Sequence, residues 1–179
     1  MTDRVYNVLF LCTGNSARSI LAESILNHAA HGRFRAYSAG SHPTGEVNPL
    51  AIDLLARQGI AVDRLRSKSW DEFAAPGAPM LDFVFTVCDR AAGEICPVWP
   101  GQPLTAHWGI PDPAAVRADA AAMRQAMSEA FRQLSRRISL FLSLPIDKLD
   151  AIAIRHEIHA IGQIDDAEGP VRSFSLLQS

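Results

Sequence analysis

Only three cysteines, Cys12, Cys88 and Cys96, occur in 179 residues. An odd count argues against the closed disulfide framework of a small secreted domain. No run of about eighteen apolar residues is present, so no membrane-spanning helix is expected. Neither charge sign dominates: 17 basic against 19 acidic residues give a formal net charge of -2. That leaves no electrostatic footprint for nucleic acid or an anionic membrane. There is no internal repeat and no low-complexity stretch. The polar start MTDRVYN has no signal-peptide core, so the expected compartment is the cytoplasm. In a reducing compartment a cysteine serves as a reactive thiol, a metal ligand or a small buried residue. A hydrophobic content of 48% is enough to fill the core of one domain.

Apolar runs alternate with helical patterns along the chain. Residues 5–11 read as a buried strand, and residues 18–31 as a helix with Ile20, Leu21, Ile25 and Leu26 on one face. Residues 34–39 form a second expected strand, followed by the turn-rich stretch GSHPTGEVNP. Residues 48–58 read as a helix with Asn48 as N-cap, Pro49 at the first position and Gly59 as the stop. Residues 82–87 and 104–108 are the third and fourth strands. A long helix is expected over residues 115–142, where Val116, Ala120, Met123, Met127, Phe131, Leu134, Ile138 and Leu142 recur at helical steps. The implied fold class is α/β: a single three-layer domain with a four-stranded parallel sheet and helices on both faces. Ligands of such folds bind beyond the carboxyl ends of the strands. Cys12, Cys88 and the loop after His107 all fall there.

The stretch VLFLCTGNSARS carries the chemistry. A buried strand ends at Cys12, and a helix begins six residues later at Arg18. A loop that opens a helix offers backbone N–H groups with no intrahelical partner, and these bind anions. Thr13, Gly14, Ser16 and Ala17 are small enough for the backbone to curl around a tetrahedral oxyanion. Arg18 adds a planar fork suited to two of its oxygens. The same positive potential is expected to lower the pKa of Cys12 and supply a thiolate nucleophile. The spacing matches neither the phosphate loop of P-loop NTPases nor the dinucleotide fingerprint.

The segment from Cys12 through Thr13, Gly14, Asn15, Ser16, Ala17 and Arg18 to Ser19 resembles the active-site loop of the low-molecular-weight protein tyrosine phosphatase fold. In particular it resembles the thioredoxin-coupled arsenate reductases of that fold, over roughly residues 5–142. The resemblance implies that Cys12 attacks the oxyanion, that Arg18 and the loop amides bind it, and that Asn15 and Ser19 order the loop. It also implies that Asp112, in GIPDPA, is a general acid on a mobile Asp-Pro loop. A turn would use the same residues.

The other two cysteines separate a reductase from a phosphatase. Reduction of As(V) needs two electrons, which two thiols supply by forming a disulfide. The resemblance implies a relay in which Cys12 forms an arseno adduct, Cys88 displaces arsenite, and Cys96 resolves the Cys12–Cys88 disulfide. Residues eight apart in a helix are separated by about 12 Å of rise, whereas a disulfide needs Cα atoms roughly 4.4–6.8 Å apart. A helical segment between Cys88 and Cys96 would therefore have to unwind on oxidation. Two small core cysteines are the plainer alternative. Asp112 and Pro113 are followed by Ala114 and Ala115, not by the aromatic residues that grip a phosphotyrosine ring.

The expected activity is arsenate reduction, with phosphate or sulfate as competing oxyanions, no cofactor and no metal. Thioredoxin is the expected reductant, since the final disulfide is intramolecular, and glutaredoxin with glutathione is the other donor that relatives use. A phosphatase acting on phosphotyrosine or small phosphoesters is the second enzymatic reading. A non-catalytic oxyanion binder or thiol sensor is the reading from another class. His156, Glu157 and His159 have the wrong spacing for the helical zinc motif, and the gap between Cys88 and Cys96 does not suit a zinc knuckle. Glu23 and Ser38 could join Asn15 in a cation site, but no matching Asp stands near residues 67–71. The expected division is a phosphatase-like domain over residues 1–144 and an extension over 145–179, helical and then a mobile tail from about Gln163.

Overall fold

β1 (Tyr6–Cys12) lies at the centre of the molecule, paired in parallel with β2 (Phe34–Gly40) on one side and β3 (Phe83–Thr86) on the other. β4 (Leu104–His107) pairs in parallel with β3, giving the order β2-β1-β3-β4. This is a computed structural model and describes residues 4–166. The helices are α1 (Arg18–Ala29), α2 (Pro49–Arg57), the single turn α3 (Asp89–Ala92), α4 (Ala120–Leu142) and α5 (Ala151–Gly162). No helix among the described residues is long and apolar enough to cross a membrane.

The sheet is buried on both faces because β1 is apolar at every position from Val8 to Cys12. Successive side chains alternate between faces. Val8, Phe10 and Cys12 join one core with α1, α2, α4 and α5, whereas Leu9 and Leu11 join a second with Phe73, Leu81, Val84 and Trp99. That second layer is a 3₁₀ turn (Trp70–Phe73) with its flanking loops. The first core centres on aromatic rings: Trp108 stacks on Phe85 at 3.8 Å between centroids, and Phe141 meets both edge-on.

Most expected elements sit within one or two residues of their expected bounds. Asn48 caps α2 by accepting from the Leu50 N–H at 2.9 Å, and Gly59 stops it at φ +74°. The long helix differs. Residues 113–115 form a separate 3₁₀ turn, and α4 starts at Ala120 because Asp119 accepts from the Ala122 N–H at 2.8 Å. Val116 therefore lies outside the helix. The buried face is Met127, Ala130, Leu134, Ile138 and Phe141, with Met123 and Phe131 at its margin.

Residues 145–166 are built into the same core. Ile146, Ile154, Ile158 and Ile161 belong to the cluster that contains Val8 and Phe10. The Trp108 indole donates to the Ile158 carbonyl at 2.9 Å. The buried Arg137 guanidinium holds the Asp166 carboxylate through two bonds of 3.0 and 2.9 Å. The chain is thus tied down beyond Gln163. The rest of the expected tail, residues 167–179, lies outside the described residues.

α5 approaches β4 so closely that a Cβ at Gly162 would run into the His107 carbonyl oxygen and lie 3.0 Å from the Trp108 ring. Gly162→Ala is therefore expected to destabilise the fold by about 1–3 kcal/mol through overpacking. A fall in the urea midpoint with an unchanged slope is the measurement that checks it.

Candidate active site

The loop after β1 is held from outside by its own carbonyls. The Cys12, Thr13, Gly14 and Ser16 carbonyl oxygens accept from the backbone N–H groups of Ser41, His42, Thr44 and Asn48 at 3.3, 2.9, 3.0 and 2.8 Å. With four carbonyls turned outward, the loop's amides are left to face its concave side. Gly40 makes this contact feasible: a Cβ there would collide with the Thr13 carbonyl oxygen and stand 3.0 Å from Asn15. The N-cap of α1, Ala17, offers no side-chain cap, and its first turn has no acidic residue, so its N-terminal dipole is left for an anion.

Beneath the loop lies a directed chain of hydrogen bonds. Asn15 is fully buried at φ +45°, a conformation that asparagine tolerates better than most residues. Its carbonyl oxygen accepts from the Lys68 N–H at 2.9 Å, which leaves its NH₂ to donate to Ser19 Oγ at 2.8 Å. Ser19 Oγ is thereby an acceptor from Asn15, so its hydrogen is free for Cys12 Sγ at 2.9 Å. The Asn15 backbone N–H also donates to Cys12 Sγ, at 3.1 Å. The Asn15 and Ser19 side chains thus order the nucleophile and do not line the pocket.

The thiol itself differs from expectation. Cys12 is 4% exposed. Burial pushes it above its ordinary value, against the downward pull of the Ser19 and Asn15 hydrogen bonds. Desolvation of a thiolate costs more here than these hydrogen bonds return.

Behind the loop, Ser38 Oγ donates to Glu23 Oε2 at 2.7 Å, and Lys68 Nζ lies 3.5 Å from the same hydroxyl. Burial raises Glu23, which the Lys68 charge opposes, and burial lowers Lys68, which Glu23 opposes. The suggested cation site is therefore occupied by an ammonium of the chain itself. Lys68, which has no motif around it in the sequence, supplies the positive charge that a bound cation would bring.

The pocket in front of the loop measures about 690 Å³. Cys12, Gly14 and Ala17 form its floor, with Arg18 and Asp112 at its side. Arg18 Nη1 donates to the Ile110 carbonyl at 3.1 Å, and its Nη2 lies 3.5 Å from Asp112 Oδ2. The Asp-Pro segment is thus positioned over the loop, and Asp112 also caps the 3₁₀ turn through the Ala114 N–H at 3.0 Å. Thr13, Ser16, Ala114, Ala115, Thr44, Arg90 and Arg117 complete the wall, which among the described residues contains no aromatic ring. Arg90, Arg117 and Thr44 carry no motif that would have revealed them in sequence.

Cys88 is buried, with its Sγ 3.5 Å from Thr13 Oγ1 and accepting from the Ala91 N–H at 3.4 Å. Cys96 is exposed, and its thiol faces the Glu94 carbonyl oxygen at 3.8 Å. The segment between them is helical only through Ala92 and closes at Gly93, so a single helical turn, not a continuous helix, separates Cys88 from the irregular stretch that carries Cys96. Trp99, packed edge-on at 6.4 Å against Trp70, anchors its far end. His107 does not line the pocket: its ring bonds Thr86 Oγ1 and Asp89 Oδ1, both at 2.7 Å. Trp108 is pure core. His156 and His159 are exposed, and no group of three or more His, Cys, Asp or Glu among the described residues could hold a metal.

Residues 7–141 match the family described as Low molecular weight phosphotyrosine protein phosphatase. The chain belongs to this family. Within it, a curated arsenate reductase of Halalkalibacterium halodurans is 37% identical over 107 residues, 60% of this chain and 73% of that protein. Among solved structures, a Corynebacterium glutamicum thioredoxin-dependent arsenate reductase is 26% identical with a TM-score of 0.54. The match covers 79% of this chain and 65% of that longer one, slightly under two thirds. The low molecular weight protein tyrosine phosphatase of T. tengcongensis is also 26% identical, with a TM-score of 0.59, covering 80% and 99% of the two chains.

Ser19→Ala removes the one side-chain donor to Cys12. It is expected to raise the thiol pKa further, because the lost hydrogen bond favours the charged form. A raised thiol pKa means less thiolate at pH 7. The pH profile of Cys12 alkylation by iodoacetamide, followed by peptide mass, should shift to higher pH.

Proposed function

We propose that this chain is an arsenate reductase that uses Cys12, Cys88 and Cys96 as an internal relay. The observation that carries the reading is the contact of Cys88 with Thr13, which sets a second, buried thiol against the nucleophile's loop. A phosphatase needs one cysteine and water, and has no use for a thiol there. The arsenate reductases among the relatives support the same reading.

In the proposed sequence the loop amides and Arg18 hold the arsenate dianion. Cys12 attacks as the thiolate, so an S–As bond forms and an arsenate oxygen leaves as water, with Asp112 placed to deliver its proton. The Cys88 thiolate then attacks Cys12 Sγ. An S–S bond forms, the S–As bond breaks, and its electron pair stays on arsenic, which departs as As(III). The two electrons come from the two sulfurs. Cys96 attacks Cys88 and releases Cys12 as a thiolate, leaving a Cys88–Cys96 disulfide. Cys88 is buried and Cys96 exposed, so joining them requires residues 88–97 to rearrange and presents the disulfide at the surface. Thioredoxin is the reductant this reading favours, in keeping with the thioredoxin-dependent relative. Glutaredoxin with glutathione is the competing donor.

A specific feature favours the reductase over a tyrosine phosphatase. The pocket wall after Asp112 and Pro113 is Ala114 and Ala115, which offer no ring to stack on a phenyl ester.

Fully reduced protein mixed with arsenate and no external reductant is expected to release about one arsenite per chain with loss of two thiols. Cys12→Ser and Cys88→Ser should release none. Cys96→Ser should release one equivalent and stop with a Cys12–Cys88 disulfide. Retention of all three thiols, with phosphoester hydrolysis that depends on Cys12 alone, would make the protein a phosphatase instead. Turnover with thioredoxin or with glutaredoxin then names the donor.

A further inference from the structure

The pocket carries more positive charge than the catalytic loop requires. Beyond Arg18, two guanidiniums stand on its walls: Arg90 on α3 and Arg117 after the Asp-Pro turn. Both are exposed and neither serves the fold. Their positions differ in one respect that matters. Arg117 belongs to the connection into α4, whereas Arg90 stands two residues after Cys88 in a helix of only four residues.

Among the described residues, Arg90 has one weak partner. Its Nε is 3.9 Å from Glu94 Oε1, an oxygen that also lies 4.0 Å from His42 Nδ1. The Arg90 side chain is 77% exposed, so that pair contributes little. An oxyanion on the loop is a stronger competitor, with a double charge and several acceptor oxygens.

We infer that Arg90 is an anion-binding and positioning residue: it grips the oxyanion from the α3 side and so keeps Cys88 beside Thr13 while charged substrate occupies the pocket. The inference rests on the reading of this pocket as the arsenate site. Its consequence follows from the charge of the reactants. Arsenate is a dianion near neutral pH, and its product, arsenous acid, is uncharged. Reduction therefore removes the charge that holds Arg90, and α3 is released when Cys88 must turn toward Cys96. The grip opposes the rearrangement of residues 88–97 before chemistry and vanishes after it.

Inorganic phosphate is the probe, because it has the shape and charge of arsenate and is not reduced. Amide hydrogen exchange of the fully reduced chain is compared with and without phosphate, alongside its dissociation constant by calorimetry. In the parent protein, phosphate is expected to protect both residues 13–19 and residues 89–94. In Arg90→Gln the protection of 13–19 should remain at saturating phosphate and that of 89–94 should disappear, with about fivefold to tenfold weaker binding. Arg90→Lys should recover part of both. Arg117→Gln should weaken binding yet keep the response of 89–94, which separates the α3 effect from a general loss of charge. Unchanged affinity and unchanged protection of 89–94 in Arg90→Gln would overturn the inference. Absence of phosphate protection at 13–19 in the parent protein is a different failure: it would remove the oxyanion reading, and this inference with it.

Discussion

Everything at the site depends on where four carbonyl groups point. The peptide units of residues 12–16 are turned by amides of residues 41–48, so that loop carbonyls face the protein and loop amides face the pocket. A peptide dipole cannot satisfy both directions. Fixing the oxygen outward commits the nitrogen inward before any ligand arrives. That preorganisation is what makes a nest of amides bind an anion without first having to turn them. The close approach that permits it passes through Gly40, the one residue of β2 that pairs directly with Cys12.

Charge is layered around this loop. The buried Lys68 and the partly buried Glu23 stand behind it, the Cys12 thiol lies within it, and three guanidiniums line the pocket in front of it. The thiol's position is a compromise. Burial disfavours its ionised form, and hydrogen bonds from Ser19 and Asn15 favour it. A thiol held in this balance is shielded from solvent and still has donors aimed at it. The second thiol is also buried, and the third lies in water. Such an order of exposure suits a relay that begins inside the protein and ends at a partner.

The similar proteins include arsenate reductases and a low molecular weight protein tyrosine phosphatase. In this chain two alanines follow Asp112 and Pro113 at the pocket, and a second buried thiol lies beside Thr13. Its 145–166 segment adds a helix that buries Trp108 and bears on β4, whose last residue ties to α3 through the bond from His107 to Asp89. This segment thus packs against the side of the sheet that carries β4.

The sequence by itself determined the alternation of strands and helices, the loop from Cys12 to Arg18 and the Asp-Pro segment. These are local signals: hydrophobic runs, turn residues, caps and a nucleophile at a strand end need no knowledge of distant partners. The start of α4 was misplaced because Asp119 outcompetes an apolar pattern that continues past it. Tertiary structure alone decided the rest. Lys68 reaches Glu23 and Ser38 only because β2 and the chain after α2 meet at Gly40. Arg90 and Arg117 face Cys12 only because three strand ends converge, and isolated exposed arginines look alike in a sequence. The thiol's raised pKa follows from burial, a property of the assembled core that no spacing encodes.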